Sequence, residues 1–312
     1  MIDVTLLGVS ALLPLPERAL TAAVLACGGR SILFDCGEGT QTAARKAGVS
    51  LMKCDLIALT HYHGDHVFGL PGLLQTLGVM GRTEPLTVTG PEGLQSDLRP
   101  LMQAAGELPF PVALRPWEED GISLSALHPQ WPALARLAAF PTCHRGKSQG
   151  YLFTLGRAGA FRPEAARALN VPTRLWSALQ KGETVQTENG PVRPDQVLGP
   201  ARRGLRFVFT GDTAPCPAIA DAARDADLMI LEATYGEDSQ AEEANRYGHM
   251  TFSQAGAAAA ESGARQVWLA HFSQRIEDPE SYLPLARAHC PAAVCGRDGM
   301  CASLLFEEDQ KP

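Results

Sequence analysis

The stretch Leu56-Ile57-Ala58-Leu59-Thr60-His61-Tyr62-His63-Gly64-Asp65-His66 decides the fold and holds the strongest chemical signal in the chain. Its first five residues form an apolar run that predicts a buried strand. Four side chains able to bind a metal follow within six residues, namely His61, His63, Asp65 and His66. Imidazole and carboxylate suit Zn²⁺, and a tight turn at the glycine lets the first two face one ion and the last two its neighbour. The alternative is a surface loop, which would have to collect three of the chain's eight histidines by chance.

Two further apolar runs that predict strands also end in residues of ligand type. Asp212 follows the run 205–210, and His271 follows the run 267–270. Ligand-binding groups gather at the carboxyl ends of strands in an open α/β sheet. Alone, an aspartate after glycine is usually a turn residue, and a single histidine is usually a core or surface group. Together with His144, which supplies another imidazole, they predict a metal site.

Elsewhere, apolar runs rich in β-formers alternate with helical patterns, which indicates an α/β chain. The predicted strands are 2–7, 31–34, 56–60, 86–89, 205–210, 228–231 and 266–270, and the predicted helices are 40–47, 67–79, 92–105 and 252–262. Thr251 and Gln254, three residues apart at the start of the last helix, form a capping-box pattern.

The composition is that of an ordinary globular protein, with 312 residues, 45% hydrophobic and 20% charged. We expect one domain over residues 1–312. The eight cysteines form no C-x-x-C pair, which favours free thiols and a cytoplasmic location. No apolar run approaches the roughly 20 residues of a membrane span, and the acidic N-terminus is unlike a secretory leader, so no membrane partner is expected. The net charge of −7 argues against a protein coated in positive charge for non-specific nucleic-acid binding.

One segment has the opposite charge. Residues 157–206 hold nine Arg and Lys against four Asp and Glu, a net +5, which leaves −12 for the rest of the chain. Prolines punctuate this segment and apolar residues are sparse, so residues from about 157 to 200 are interpreted as an inserted arm.

Six motifs spread over nearly the whole chain carry a family resemblance. They are residues 34–41 (FDCGEGTQ), 68–74 (FGLPGLL), 211–213 (GDT), 232–234 (EAT), 248–251 (GHMT) and 271–275 (HFSQR). With the histidine and aspartate pattern, they resemble the metallo-β-lactamase superfamily and, more narrowly, its ribonuclease Z family of tRNA 3′-end processing nucleases. The resemblance implies an α/β chain in α+β layers, the αββα sandwich of two mixed sheets, with the basic arm inserted.

The resemblance also implies a reaction and its residues. Two Zn²⁺ per chain are bound by His61, His63 and His144 at one position and by Asp65, His66 and His271 at the other, with Asp212 shared. The expected activity is zinc-dependent endonucleolytic removal of the 3′ trailer from precursor tRNA, leaving a 3′-hydroxyl on the tRNA. Asp65 also orients the attacking water or accepts its proton, His249 is catalytic without binding metal, and Glu232 is its partner. The family further implies a homodimer in which the arm of one subunit reaches substrate at the other's site.

Within the arm, the predicted RNA-binding residues are Arg157, Arg162, Arg167, Arg174 and Lys181. Residues 157–181 contain these five cations and one acid, Glu164. Such a patch attracts backbone phosphates without reading sequence. The alternative is a solvated helical hairpin. Trp176 suits either stacking on a base or filling the arm's own small core.

Three places depart from the ribonuclease Z pattern, and all are expected near the RNA. They are the opening loop 8–18, residues 145–147 after His144, and residues 171–176, which replace a Gly-Pro-rich motif. Two other functions therefore stay open: hydrolysis of a small phosphodiester or sulfate ester, and metal binding without turnover. Asp35 and Glu38 are interpreted as hydrogen-bonding residues of a turn rather than as ligands.

Overall fold

Two seven-stranded sheets form the body of the computed structural model, which describes residues 1–307. The first sheet has the order β16-β1-β2-β3-β4-β5-β6. Its strands are β1 Ile2–Gly8, β2 Ala22–Cys27, β3 Arg30–Phe34, β4 Cys54–Ala58, β5 Leu86–Gly90, β6 Val112–Pro116 and β16 Cys301–Leu304. The second sheet has the order β15-β14-β13-β12-β9-β8-β7. Its strands are β7 Ile122–Ser123, β8 Ala135–Pro141, β9 Gln149–Arg157, β12 Arg202–Phe209, β13 Leu228–Glu232, β14 Val267–Ala270 and β15 Ala293–Cys295.

Helices cover the outer faces of the sheets or lie in the arm. They are α1 Thr40–Lys46, α2 Gly64–Val67, α3 Leu70–Val79, α4 Leu94–Ala104, α5 Pro163–Ala168, α6 Trp176–Gln180, α7 Pro194–Val197, α8 Pro217–Ala222, α9 Ala241–Tyr247, α10 Phe252–Ser262 and α11 Leu283–Arg287. Within residues 1–307, none of them combines the length and the apolar character needed to cross a membrane.

The apolar runs are continuous because both faces of each strand are covered. In β3, Ile32 and Phe34 belong to the core between the two sheets, whereas Leu33 belongs to the core under α1, α3 and α4. The Phe34 ring lies 5.5 Å from the rings of both Phe207 and Phe209 in β12, so it joins the sheets. The layers are the predicted αββα sandwich, and the fold prediction is confirmed.

Strand direction brings the candidate ligands to one edge of the sandwich. Strands β3 to β6 run parallel to one another, and so do β12 to β15. Their carboxyl ends therefore lie together, with His61 after β4, Asp212 after β12 and His271 after β14. His144 joins them from the loop between β8 and β9.

The predicted helix over 67–79 is wrong at its start. The chain forms the short α2 first and begins α3 at Leu70, with proline in the first turn. The helix is interrupted because Cys36 takes two of its backbone groups: the N–H of Gly69 donates to the Cys36 carbonyl at 2.9 Å, and the carbonyl of His66 accepts from the Cys36 N–H at 2.8 Å. This close approach requires glycine at 69, since a Cβ there would lie 1.9 Å from the carbonyl oxygen of Gly37. The capping box of α10 is confirmed, since Thr251 and Gln254 each accept a hydrogen bond from the other's backbone N–H.

The arm occupies residues 158–201, where the chain leaves β9 and returns in β12. These strands pair antiparallel, with Arg157 opposite Arg202. The arm contains α5, α6, α7 and the hairpin of β10 Val185–Thr187 and β11 Gly190–Val192. Its own apolar cluster consists of Ala166, Val171, Leu179, Val185, Val192 and Val197.

The structure changes the charge assignment of the arm. Four of the nine cations counted over 157–206 lie in the strands, at positions 157, 202, 203 and 206, so residues 158–201 carry five cations against four acids. The cations concentrate in the helical half of the arm, and three of the acids lie after residue 181. The basic surface is therefore one side of the arm and not the whole of it.

A buried ion pair joins β3 and β4 of the first sheet, so its loss is expected to destabilise the fold. Arg30 and Asp55 are 2% and 5% exposed and pair through two hydrogen bonds, and Asp55 also accepts the indole N–H of Trp131 at 2.7 Å. We expect Asp55→Ala to lower the free energy of unfolding by about 3–5 kcal/mol, because it leaves a buried guanidinium without its buried partner. Urea denaturation measures this.

The matched control is Glu84→Ala, since Glu84 also binds Arg30 but is 49% exposed. It is expected to cost less than about 1 kcal/mol. Equal losses for the two variants would contradict the assignment of the buried pair as the main contributor.

Candidate metal centre

All seven predicted metal ligands lie together. The ligand atoms of His61, His63, His144 and Asp212 are within 4.8 Å of one another, and so are those of Asp65, His66 and His271. The two groups meet at Asp212. Histidines from loops far apart in the chain therefore converge on two adjacent positions.

The two carboxylate oxygens of Asp212 face different groups. Oδ2 lies 3.7 Å from His61 Nε2 and 3.9 Å from His144 Nε2. Oδ1 lies 3.4 Å from His66 Nε2 and 3.1 Å from His271 Nε2. This is the geometry of a carboxylate that can be shared by two cations.

Unsatisfied polar atoms provide a test of whether the site fits a metal. Among the described residues, His66 Nε2, His271 Nε2 and Asp212 Oδ1 are buried and have no hydrogen-bond partner. Buried polar atoms nearly always have one. Three such atoms facing one another fit a cation at their centre, so the residues suit a metal ion.

The protonation states at the first position suit metal binding, whereas His66 at the second has to lose a proton first: burial lowers its pKa, but the charges of Asp212 and Asp35 outweigh burial and raise the pKa well above its usual value. Burial lowers the pKa of His61, His63 and His144, so these imidazoles are neutral, which is the form that binds a metal. Burial alone would raise the pKa of Asp212, but the charges of His271 and His66 outweigh it and hold the pKa well below its usual value. Asp212 is therefore ionised.

Asp35 orients one of the ligands from behind. Its Oδ2 lies 2.8 Å from His66 Nδ1, and its two oxygens accept hydrogen bonds from the backbone N–H and the hydroxyl of Thr60. It belongs to neither ligand group. The sequence indicated a hydrogen-bonding residue here, but not that it fixes His66, because the contact crosses 31 positions of chain. Glu38 is exposed and lies outside both ligand groups.

Two further supports were not predicted. The Thr234 hydroxyl lies 2.9 Å from His271 Nδ1, and the carbonyl of Gly248 lies 2.9 Å from His144 Nδ1. Gly248 has φ 78°, and a Cβ there would lie 2.8 Å from the same Nδ1. A side chain at residue 248 would displace the ligand, which explains the glycine in this motif.

His249 and Glu232 are in direct contact. His249 Nδ1 lies 2.9 Å from Glu232 Oε1 and 4.0 Å from Asp212 Oδ2. Burial lowers the pKa of His249, but the charge and hydrogen bond of Glu232 outweigh it and raise the pKa to about 9. Glu232 is itself held by the backbone N–H groups of Thr213 and Met250. The predicted pair is thus a protonated imidazole fixed beside the metal ligands.

Asp65 is held by the opening loop. Its Oδ2 lies 3.5 Å from His66 Nε2 and 3.6 Å from His271 Nε2, and it accepts a hydrogen bond of 2.8 Å from the backbone N–H of Leu12. Leu12 has φ 62°, in the left-handed region that leucine rarely adopts. The opening loop therefore closes over the second ligand group.

A cavity of about 360 Å³ opens onto these residues. Its wall includes Leu12, Tyr235, Arg275 and Arg145, whose guanidinium lies 4.4 Å from the ring centre of Tyr247. A larger cavity of about 440 Å³ lies between the loop 14–17 and α1, where no ligand group converges. Chemistry rather than size identifies the site. The Arg145 and Tyr247 pair was missed because its members lie 102 positions apart in sequence.

The five predicted RNA-binding cations do not form one set. Arg162, Arg167, Arg174 and Lys181 are exposed on the helical half of the arm. Arg157 is half-buried at the arm's base, where its guanidinium lies 4.4 Å from the ring centre of Phe306. None of the five lines the cavity at the metal centre.

Trp176 belongs to the arm's own packing. Its indole N–H donates to the carbonyl of Val171 at 3.0 Å, and its ring centre lies 5.1 Å from that of Phe161. This favours the packing explanation for Trp176 over stacking on a base.

Comparisons with known proteins identify relatives of the chain. The sequence profile of the metallo-β-lactamase superfamily matches residues 18–248. A protein of Agathobacter rectalis named Ribonuclease Z is 40% identical over 99% of this chain and 100% of its own length. A Ribonuclease Z of Lachnoclostridium phytofermentans is 39% identical, with the same coverage.

Solved structures show the same architecture. Human tRNase Z, short form, is 26% identical and superimposes with a TM-score of 0.65 over 97% of this chain and 100% of its own. The metallo-β-lactamase fold protein YhfI of Bacillus subtilis has a TM-score of 0.66 over 96% of this chain and 98% of its own. At 18% identity, YhfI shows the fold alone.

Proposed function

The chain belongs to the ribonuclease Z family of the metallo-β-lactamase superfamily, and on that premise we propose that it removes the 3′ trailer from precursor tRNA. Cleavage leaves a 3′-hydroxyl on the tRNA. The observation that supports this most is a seven-residue metal centre in a chain that matches Ribonuclease Z proteins over its full length. The protein is a metal-dependent hydrolase.

We propose that the cofactor is a pair of zinc ions. Five imidazoles and two carboxylates form a nitrogen-rich donor set, which suits Zn²⁺ better than Mg²⁺ or Ca²⁺. One position is formed by His61, His63 and His144, the other by Asp65, His66 and His271, with Asp212 between them. Ions bound there would activate water as a nucleophile and neutralise charge on the scissile phosphate.

The protein's own groups then handle protons and orientation. We propose that Asp65 orients the attacking water or accepts its proton. His249, kept protonated by Glu232, donates a proton to the leaving 3′ oxygen. Glu232 positions the imidazole and stays bound to its backbone donors.

The position of the arm supports a homodimer. Its exposed cations do not line the cavity of their own chain, so we propose that they hold RNA at the site of the partner subunit. Mixing an arm-deleted chain with an Asp212→Ala chain is expected to restore cleavage, since each mixed dimer keeps one arm and one metal centre.

Eight free cysteines among the described residues support a cytoplasmic location.

The test of this function compares two substrates. The zinc-loaded protein is expected to cut precursor tRNA once, at its 3′ trailer, and a chelator is expected to stop this reaction together with hydrolysis of bis(p-nitrophenyl) phosphate. Hydrolysis of the small diester without cleavage of precursor tRNA would instead support a hydrolase of small phosphodiesters or sulfate esters. Stable zinc binding with neither activity would support a metal-binding protein.

Arm removal gives a separate prediction for tRNA binding. The backbone N–H of Gly199 donates to the carbonyl of Ala160 at 2.8 Å, so residues 161–198 can be replaced by a short glycine linker. The replaced segment extends to residue 198 so that Val192 and Val197, which belong to the arm's apolar cluster, are removed with it. We expect the arm-deleted protein to bind precursor tRNA more weakly and to keep its activity on the small diester.

Charge variants separate electrostatics from folding of the arm. Replacing Arg162, Arg167, Arg174 and Lys181 with alanine is expected to reduce the slope of log affinity against log salt by up to about 3. The matched control replaces the arm's four acids, Glu164, Glu183, Glu188 and Asp195, with amides. An unchanged slope in the cation variant would contradict RNA binding by the arm.

A further inference from the structure

Two cysteines lie beside the metal centre but take no part in it. Cys143 directly precedes the ligand His144, and Cys216 follows the ligand Asp212 by four residues. Among the described residues, five of the eight cysteines are buried, whereas Cys143 is exposed and Cys216 is half-buried. Both thiols are therefore open to reagents in solution.

The two chain segments that carry these thiols are joined by backbone hydrogen bonds. Cys143 forms an antiparallel bridge with Ala214, whose N–H donates to the Cys143 carbonyl at 2.8 Å. The Cys143 N–H donates to the Thr213 hydroxyl at 3.0 Å. The Cys216 sulfur lies 3.9 Å from that hydroxyl oxygen and 4.0 Å from the carbonyl oxygen of Pro141.

These contacts place the Cys216 sulfur against the backbone from which the Cys143 side chain projects. Cys216 also lies two residues past Ala214, the bridge partner of Cys143, so both side chains belong to the same pair of joined segments. Two thiols from different segments thus lie close together at the surface, and Pro215 alone separates the bridged Ala214 from Cys216 in sequence.

We propose that Cys143 and Cys216 are a redox modification site, at which reaction with a low-molecular-weight disulfide forms a reversible Cys143–Cys216 bond that inactivates the enzyme. In the first step one protein thiolate attacks the small disulfide, forming a mixed disulfide and releasing one small thiol. In the second step the other protein thiolate attacks the protein sulfur of the mixed disulfide and releases the second small thiol. The protein loses two protons and two electrons, and the small disulfide takes them up and becomes two thiols.

Inactivation follows from where the bond would act. A covalent bond is shorter than the contact it replaces, so the residue before His144 and the segment after Asp212 are drawn together. Thr213 lies on the same path, and its N–H donates to Glu232 Oε1 at 2.8 Å, the oxygen that also binds His249. A misplacement of about 1 Å in a catalytic site can cost about 10² in rate.

The experiment uses the full-length, metal-loaded protein treated with oxidised glutathione. Peptide mapping by mass spectrometry under non-reducing conditions is expected to find a Cys143–Cys216 linkage. Each single variant, Cys143→Ser or Cys216→Ser, is expected to retain a glutathione adduct on the remaining thiol, because the resolving partner is absent. These measurements do not depend on the proposed substrate.

Activity on bis(p-nitrophenyl) phosphate tests the effect of the bond. The oxidised wild-type protein is expected to lose about 10²-fold in rate and to recover on reduction with dithiothreitol. The double serine variant is expected to resist oxidation, and Cys301→Ser, which removes the other exposed thiol, is expected to behave as wild type. Absence of the linkage, or a linkage that leaves the rate unchanged, would overturn the proposal.

Discussion

Asp212→Asn is expected to lower hydrolysis of both precursor tRNA and a small phosphodiester by more than about 10³-fold. Loss of a residue that only supports a ligand typically costs 10–100-fold in metal affinity or activity, and Asp212 faces both ligand groups directly. The amide removes the negative charge and one of the two acceptor oxygens. Metal analysis of the purified variant, alongside wild type, is the measurement, with two ions expected in wild type and fewer than two in the variant.

A graded control distinguishes ligand loss from general damage. Asp35→Asn keeps every ligand but weakens the hydrogen bond to His66, so it is expected to cost only about 10–100-fold. Thermal unfolding in chelator establishes whether either variant is folded. One tightly bound ion together with full activity in Asp212→Asn would contradict the proposed two-metal arrangement.

His249→Ala is expected to lower the rate by a factor of about 10²–10⁴, the usual contribution of a general acid. The variant is expected to keep its full metal content. The reason is position: His249 Nδ1 lies 2.9 Å from Glu232 Oε1, and each of the two proposed metal positions has three other residues besides the shared Asp212. Rate and metal content are measured on the same preparations. His289→Ala is the matched control, because His289 lies outside the ligand groups of the described residues.

Glu232→Gln tests how His249 is positioned. Removing the charge of Glu232 lowers the pKa of His249 from its value of about 9, so the protonated form is lost at lower pH. The alkaline limb of the rate profile is therefore expected to move to lower pH, a change that a merely structural role would not produce. Loss of metal together with activity in His249→Ala would make His249 a ligand, since it also lies within 4.8 Å of Asp212 and His271.

The clustering of the candidate metal ligands could be predicted because their signal is local. Four of them fall within residues 61–66, and Asp212 and His271 follow apolar runs whose carboxyl ends meet in an α/β sheet. The residues that hold the ligands were less accessible to sequence reasoning. Asp35 and Thr234 approach their histidines through tertiary contacts, for which the sequence pattern around each residue carries no signal.

The limits of the arm prediction have a similar cause. Counting charges along the sequence joined Arg157, Arg202, Arg203 and Arg206 to the arm, whereas the structure places them in two paired strands. The break between α2 and α3 depends on backbone hydrogen bonds from Gly69 and His66 to Cys36, which periodicity does not reveal. Local patterns thus indicated the α/β class and the candidate ligands, the family resemblance supplied the layers, and tertiary packing set the boundaries.

The division of the ligands between the two sheets has a consequence for synthesis of the protein. His61, His63, Asp65 and His66 follow a strand of the first sheet, whereas His144, Asp212 and His271 come from the second half of the sandwich. Neither half alone holds a full set for either position. A growing chain on the ribosome cannot assemble a complete nuclease centre until residue 271 of 312 has emerged and the halves have docked. Hydrolytic activity is therefore expected only after His271 has been translated and the second sheet has formed.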